Sequence, residues 1–250
     1  MLFALAIFAF LLGSIPFGVI ISKAKGVDIF AVGSGNIGAT NAIRAVGPVL
    51  GMLVFLLDVA KGFIPATLGR LLITDQPCGI DGQTWSFILG SIAIAGHMFS
   101  PWIRFKGGKG IATGLGAMLA SIPVTGLLAL GVMLLVTVPT RYVSLGSIIA
   151  ALSTIPISLL VAKDSPQVMP ILILFNLVVI VKHRANIARI LDGNESKFRF
   201  KKNDSPPSPD NGEESKIEEG IDLRENSEPE PKKEDSESKN AELNDEENRL

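Results

Sequence analysis

The sequence has few of the residues from which disulfide frameworks and metal sites are built. Among its 250 residues there are one cysteine, Cys78, and two histidines, His97 and His183. A single cysteine excludes a secreted disulfide scaffold, and no grouping of His, Cys and Glu has the spacing of metal ligands. No segment alternates apolar and polar residues with a period of two, which excludes barrel strands. We therefore expect no metal site and no other cofactor.

Acidic residues are scarce until late in the chain. Residues 1–202 carry 17 Lys and Arg against 7 Asp and Glu, whereas residues 203–250 carry 6 against 17. The later part is rich in Ser, Pro, Asn, Glu and Lys and poor in large apolar side chains, so burial cannot offset the entropy of ordering it. The sequence predicts a transmembrane domain at 1–202 and a disordered acidic tail at 203–250.

Long apolar runs recur through the first part. Residues 2–21 contain no ionisable side chain, enough for about 30 Å of hydrocarbon, and no basic segment precedes them as in a signal peptide. Other runs lie at 49–73, 85–103, 111–138, 143–162 and 168–181. The run at 111–138 would form a helix about 42 Å long, and Pro123 predicts its division into two short spans. The fold class predicted is all-α: a polytopic transmembrane helical bundle of seven spans. A long tilted helix with a re-entrant neighbour is the competing interpretation.

Basic residues between the runs predict the orientation. Residues 23–48 and 104–110 contain most of the loop Lys and Arg, and a further basic segment follows residue 181. Because Lys and Arg collect in cytoplasmic loops, we expect these segments and the C-terminus inside and the N-terminus outside.

Three polar segments then share the cytoplasmic face, and the first is the glycine-rich stretch at 33–41 with Arg44 after it. Closely spaced glycines let backbone N–H groups converge on an anion, and a guanidinium suits phosphate. The spacing is neither a Walker A loop nor a dinucleotide fingerprint. A tight loop that mediates helix packing is an equally open interpretation.

The second segment, Lys106 to Gly110, precedes a predicted helix. Free N–H groups at a helix start, beside two ammonium groups, favour an anion site over a merely topogenic loop. Asp58 and Lys61, spaced i, i+3 in an apolar run, are interpreted as a neutralising structural pair, with a direct site role as the alternative.

The third segment starts at His183, where His183, Asn186 and Arg189 fall near one helix face. An interfacial histidine in a basic segment is the alternative, and His97 is interpreted as a capping or packing residue. Trp102 and Ala188 stand five residues after the two histidines, which excludes the H-x4-D pair of many acyl-CoA-dependent acyltransferases.

Six motifs in order make the sequence resemble a known family. They are GSIPFG at 13–18, GSGNIGATNAIR at 33–44, DVAKG at 58–62, GHMFSPWIRFKGGKGIATGLG at 96–116, RYVSLGS at 141–147 and HRANIARILDGNESKF at 183–198. Together they resemble the bacterial integral-membrane acyl-phosphate:glycerol-3-phosphate acyltransferases, the PlsY family. The resemblance implies a cell-membrane enzyme that transfers a fatty acyl group from acyl phosphate to the 1-hydroxyl of sn-glycerol 3-phosphate. Its products would be lysophosphatidate and phosphate, the first acylation step of phospholipid synthesis. Phe30, where many relatives have arginine, and Ser100, where proline is frequent, depart from the pattern.

The resemblance also implies site residues. The acyl-phosphate headgroup is assigned to Ser34, Asn36, Thr40 and Asn41. Glycerol 3-phosphate is assigned to Arg44, Lys106, Ser144, His183 and Asn186, with Lys109 and the amides of Gly107, Gly108 and Gly110 sharing its phosphate. Glu195 is assigned to substrate binding, with a place behind His183 as the alternative, and Ser34, Lys106, His183 and Asn186 form the predicted catalytic set.

The expected partners are acyl phosphate, glycerol 3-phosphate and membrane lipid, without nucleic acid; functional coupling to the enzyme that forms acyl phosphate is a further expectation. Either His183 or an oxygen of the acyl phosphate accepts the proton of the attacking hydroxyl, and we favour the second. The alternative function is an organophosphate transporter, disfavoured because no internal repeat is evident and the polar motifs share one face. An anionic-lipid-binding structural protein would leave the glycine loops unexplained.

Overall fold

The computed structural model describes residues 1–161 and 164–198. Across these residues the chain forms α-helices joined by loops and short 3₁₀ turns, and they contain no strand. The helices are α1 Leu2–Ser14, α2 Phe17–Ala24, α3 Ala39–Val46, α4 Pro48–Leu72, α5 Gly82–Met98, α6 Ile111–Ser121, α7 Pro123–Thr140, α8 Val143–Leu160, α9 Met169–Lys182 and α10 Arg184–Leu191. The predicted all-α fold is confirmed. The predicted tail at 203–250, and its boundary at 202, lie outside the described residues.

Within the described ranges, five helical segments are long and apolar enough to cross a membrane. They are Leu2–Ala24, Pro48–Leu72, Gly82–Ile103, Pro123–Thr140 and Val143–Leu160. A sixth candidate is the pair Pro166–Lys182 and Arg184–Leu191, bent by 56°. The difference from the seven predicted spans is α6, an apolar helix of 11 residues, about 17 Å long and roughly half of a hydrocarbon core.

The break predicted at Pro123 is present. Helix α6 ends at Ser121 and α7 begins at Pro123, with Ile122 between them. Proline suits the first turn of a helix because it has no N–H to leave unpaired, whereas inside a helix it would displace the preceding turn.

Glycines bring α4 and α6 into close contact. A methyl group added to Gly62 would lie 2.0 Å from the Thr113 carbonyl oxygen, and one added to Gly116 would lie 1.9 Å from the Val59 carbonyl oxygen. Such close approach is possible only without side chains, which is how small residues drive helix packing in lipid. The resulting contact fixes the start of α6, and with it the loop before it.

The apolar core joins α5, α6 and α9, through buried side chains that include Phe87, Ile94, Met118 and Leu172. Large apolar side chains also cover the outside of the bundle, as lipid-facing surfaces require.

At the end of α5 away from the glycine loops, Asp81 caps the helix. Its carboxylate accepts hydrogen bonds from the Thr84 N–H at 2.8 Å and from the Ser165 hydroxyl at 2.5 Å. The second bond attaches the start of the α9 segment to α5.

Candidate active site

A single cavity of about 310 Å³ collects residues from all three polar segments. Its polar and charged lining residues are Ser34, Asn36, Thr40, Asn41, Arg44, Asp58, His97, Lys109, Ser144, Ser147, His183, Asn186, Arg189, Glu195 and Ser196. The Gly110 backbone also lines it, whereas Lys106, Gly107 and Gly108 do not. Residues more than 150 positions apart in the chain therefore meet in one site.

Asparagine side chains shape the first loop. The Asn41 side-chain oxygen accepts from the Ser34 N–H at 3.0 Å, and its amide nitrogen donates to the Ile29 carbonyl at 3.0 Å. The Asn36 side-chain oxygen accepts from the Gly38 N–H at 2.8 Å. Both side chains thus hold the loop as well as lining the cavity, and their assignment to the acyl-phosphate headgroup stays a prediction. The exposed Ser34 side chain keeps its hydroxyl at the cavity.

The second loop ends at Gly110, whose φ of +80° lets the backbone turn into α6. The Gly108 N–H donates to the His97 carbonyl oxygen at 3.2 Å, and its assignment to the phosphate of glycerol 3-phosphate stays a prediction. Lys109 reaches into the cavity, whereas Lys106 is exposed outside it. The catalytic role of Lys106 stays a prediction.

Glu195 is the centre of the third segment. One carboxylate oxygen accepts from the Ser144 hydroxyl at 2.6 Å and from the Asn186 amide at 2.7 Å, and the other accepts from Arg189 at 2.8 Å. The ammonium of Lys109 donates to the other end of the Asn186 amide. Asn186 therefore connects a carboxylate to a cation, and its orientation is fixed by both.

These contacts set the charge state of the site. Burial lowers the pKa of Lys109 to about 8, opposed by the Glu195 carboxylate and assisted by Arg189 and Arg44. Burial raises the pKa of Glu195, but the hydrogen bonds from Ser144, Asn186 and Arg189 outweigh it and leave that pKa below its usual value. Burial likewise lowers the pKa of Arg44, and its guanidinium remains protonated near neutral pH.

His183 lies between α9 and α10 with 2 % of its surface exposed. Its Nδ1 lies 2.8 Å from the Val179 carbonyl oxygen, which can only accept, so Nδ1 carries a hydrogen. In the neutral ring, Nε2 then holds the lone pair. Glu195 bonds Ser144, Asn186 and Arg189, so the alternative in which its carboxylate bonds His183 is not the arrangement seen.

Sequence reasoning missed the floor of the cavity. Asp58 and His97, interpreted as structural, both line it, and so do the apolar side chains of Phe55, Ile111 and Met133. The i, i+3 charges in an apolar run were the available signal for Asp58, but nothing in the spacing places His97 beside them.

Comparison with known proteins decides the family. The family model described as "Glycerol-3-phosphate acyltransferase" matches residues 3–193. The chain belongs to the glycerol-3-phosphate acyltransferase family. The glycerol-3-phosphate acyltransferase of Aquifex aeolicus is 46 % identical over 194 residues, covering 78 % of this chain and 97 % of the relative. That of Trichlorobacter lovleyi is 44 % identical over 191 residues, covering 76 % and 94 %.

Solved structures of the family agree in fold. A crystal structure of PlsY (YgiH), an integral membrane glycerol 3-phosphate acyltransferase, in its glycerol 3-phosphate form has a TM-score of 0.73 and 42 % identity, covering 79 % of this chain and 96 % of that one. Its lysophosphatidic acid form has a TM-score of 0.71 at the same identity. The predicted family and the predicted integral-membrane bundle are thereby confirmed.

Proposed function

We propose that this protein transfers a fatty acyl group from acyl phosphate to the 1-hydroxyl of glycerol 3-phosphate, giving lysophosphatidate and phosphate. The observation that carries this is the single cavity, which combines cations and hydroxyls with an apolar wall. The charged groups Arg44, Lys109 and Arg189 face it, and Phe55, Ile111 and Met133 are shared with a neighbouring apolar pocket between α6, α7 and α8. One chemically mixed site suits two phosphates, one of which carries an acyl chain.

The donor headgroup is assigned to the first loop, with Ser34 and Thr40 as hydroxyl donors. Glycerol 3-phosphate is assigned to the third segment, where Lys109 and Arg44 supply positive charge and Ser144 and Asn186 supply short polar contacts. The N–H groups at the start of α6 add a partial positive charge beside Lys109. Lys106, which does not line the cavity, is still assigned to the binding of glycerol 3-phosphate.

The reaction needs positioning more than a covalent nucleophile, because phosphate is a good leaving group. The 1-hydroxyl oxygen attacks the acyl carbonyl carbon, the carbon–oxygen bond to phosphate breaks, and phosphate leaves with the proton of the hydroxyl. We assign the proton to a phosphate oxygen, which is adjacent to the forming bond. His183, fixed through its Nδ1–H, then orients glycerol 3-phosphate, its Nε2 accepting a hydrogen bond from the hydroxyl that does not react.

We assign the cavity to the cytoplasmic side of the membrane and the N-terminus to the outside. The basic loops at 23–48 and 104–110 carry this orientation. The family relatives place the protein in a membrane, and we propose the bacterial inner membrane, where both substrates are available from the cytoplasm. Coupling to the enzyme that forms acyl phosphate would shorten the path of an amphiphilic donor.

One experiment tests the reaction. The purified protein is incubated with palmitoyl phosphate and labelled glycerol 3-phosphate, and lysophosphatidate and phosphate are expected in equal amounts. In parallel, the protein is reconstituted into vesicles. Uptake of labelled glycerol 3-phosphate without acylation would reject the enzyme and favour the organophosphate transporter.

A further inference from the structure

Three buried titratable side chains beside the cavity are not used by the proposed reaction. Asp58 and Lys61 lie on α4 and His97 lies on α5, and each is at most 4 % exposed. The Asp58 carboxylate oxygen Oδ1 lies 2.7 Å from the Lys61 ammonium and 3.8 Å from His97 Nδ1. Ionisable groups inside a membrane segment are costly, so their presence calls for a function.

His97 is the surface on which the second loop rests. A methyl group added to Gly108 would lie 2.1 Å from His97 Nε2, and all three of its nearest atoms would belong to the His97 ring. A methyl group added to Gly107 would lie 2.1 Å from the His97 carbonyl oxygen, which also accepts the Gly108 N–H. The next residue is Lys109, so the position of His97 decides where the Lys109 ammonium enters the cavity.

Asp58 faces the opposite side of the same ring. Apart from Oδ1 of Asp58, no acceptor or donor in the described residues approaches His97 Nδ1, which has no hydrogen-bond partner there. At 3.8 Å the carboxylate is too far for a hydrogen bond to Nδ1, but its negative charge favours the ring orientation and tautomer that turn an N–H toward it.

Lys61 holds the carboxylate in place. Its ammonium contacts Asp58 and also donates to the Ile15 carbonyl at 3.0 Å, at the break between α1 and α2. A buried ion pair contributes little net stability compared with apolar residues of the same volume, so stability alone does not explain it.

We propose that Asp58, Lys61 and His97 are positioning residues: the ion pair fixes the His97 ring, and the ring supports the Gly107–Gly108 turn so that Lys109 meets the phosphate of glycerol 3-phosphate. None of the three contacts the reacting atoms. The identity of the phosphate ligand rests on the proposed function, whereas the support of the loop by the ring rests on the packing alone.

The test is a cycle of Gly108→Ala, His97→Ala and the double variant. Gly108→Ala is expected to raise the KM for glycerol 3-phosphate on the order of 10-fold with kcat within about threefold, because it displaces Lys109 from the phosphate and not from the reacting carbon. In the double variant the imidazole ring is absent, so the added methyl group at residue 108 meets no obstacle. The KM of the double variant should therefore equal the KM of His97→Ala alone. Additive effects of the two changes would overturn the proposal.

Folding is separated from positioning in three ways. If Gly108→Ala does not accumulate as folded protein, the double variant still tests the contact between residue 108 and the His97 ring. Folded protein in the double variant would establish this contact, and its absence would reject the contact. Asp58→Asn combined with Lys61→Met removes both charges of the buried pair. We expect this variant to fold and to have a higher KM for glycerol 3-phosphate than the unaltered protein. A KM equal to that of the unaltered protein would show that the pair has only a structural role. Asp81→Asn, at the far end of the His97 helix, is the matched control, which lowers the melting temperature without changing KM.

Binding of glycerol 3-phosphate is measured by calorimetry alongside turnover. Binding without turnover in the unaltered protein would reject the proposed reaction, while the comparison of variants would still decide the role of the ring.

Discussion

The Lys109 ammonium is the group in the cavity whose charge changes in an accessible pH range. Its pKa is lowered to about 8, so above that pH the free site loses a positive charge. The phosphate of glycerol 3-phosphate is almost entirely a dianion above about pH 7, since its second pKa is near 6. The KM for glycerol 3-phosphate should therefore rise as pH increases through about 8.

Lys109→Arg tests this directly, because a guanidinium stays protonated over the same range. Steady-state kinetics between pH 6.5 and 9.5 should show a KM that rises in the unaltered protein and stays flat in the variant. A KM independent of pH in both proteins would show that the Lys109 ammonium does not pair with the phosphate.

His183→Asn separates the two candidate bases. An asparagine keeps a hydrogen-bond donor but cannot accept a full proton, so if the phosphate is the base, KM rises and kcat falls about 10-fold or less. A kcat lower by about 10² to 10⁴ would make His183 the base. Calorimetric binding of glycerol 3-phosphate verifies that the variant site is formed.

Single residues also mark where sequence reasoning stops. Charge and run length predicted that the three polar segments share a face, and the family resemblance implied that Ser34, Arg44, Lys109 and Asn186 share a site. They were not enough to predict that Asn41 holds its own loop, because a side-chain amide bonds the backbone or a ligand equally well. Only the contacts in the structure show whether such a group bonds the backbone or a ligand, and this holds also for the Gly108 N–H.

Helix α6, with 11 residues, is the shortest of the helices predicted to span the membrane by themselves. It is too short to cross a bilayer alone, so its place depends on close contact with α4 at Gly62 and Gly116. The break before α7 was predictable, since a proline ends the run. The short length of α6 was predictable too. Whether a helix of this length crosses the membrane depends on the helices packed against it and not on its own sequence.

Gly116→Ala tests that contact. The added methyl group would lie 1.9 Å from a backbone oxygen of α4, which cannot move without moving the helix. Overpacking of this kind costs about 1–3 kcal/mol, so the melting temperature in detergent should fall by several degrees. Gly131→Ala on α7 is the control: nothing lies within 4 Å of its added methyl group, and its stability should be unchanged or slightly higher. Equal melting temperatures would contradict tight α4–α6 packing.

For the whole molecule, the orientation has a built-in reporter. Cys78 is exposed, and it lies on the loop between α4 and α5 that the proposed orientation places outside. A membrane-impermeant maleimide should label intact spheroplasts through Cys78. With Cys78→Ser and Lys25→Cys, labelling should appear only after the membrane is opened. The reverse pattern would place the site on the outer side.

The acidic tail is predicted to be dispensable for catalysis. A stop codon after Lys202 should leave specific activity within about twofold, because a segment that buries little apolar surface adds little to a packed site. A loss of more than tenfold with normal membrane insertion would contradict this, and would favour docking of the tail on the basic segment at 184–202.

The Glu195 hub has a consequence for how the enzyme is made. Ser144 and the loops at 33–44 and 106–110 are all synthesised before His183, Asn186 and Glu195, which complete the cavity. A chain still on the ribosome can thus have α1 to α8 in the membrane and hold no assembled site. We expect acylation to begin only when the chain has been released beyond Glu195, so a product that stops before this residue would occupy the membrane without acyltransferase activity.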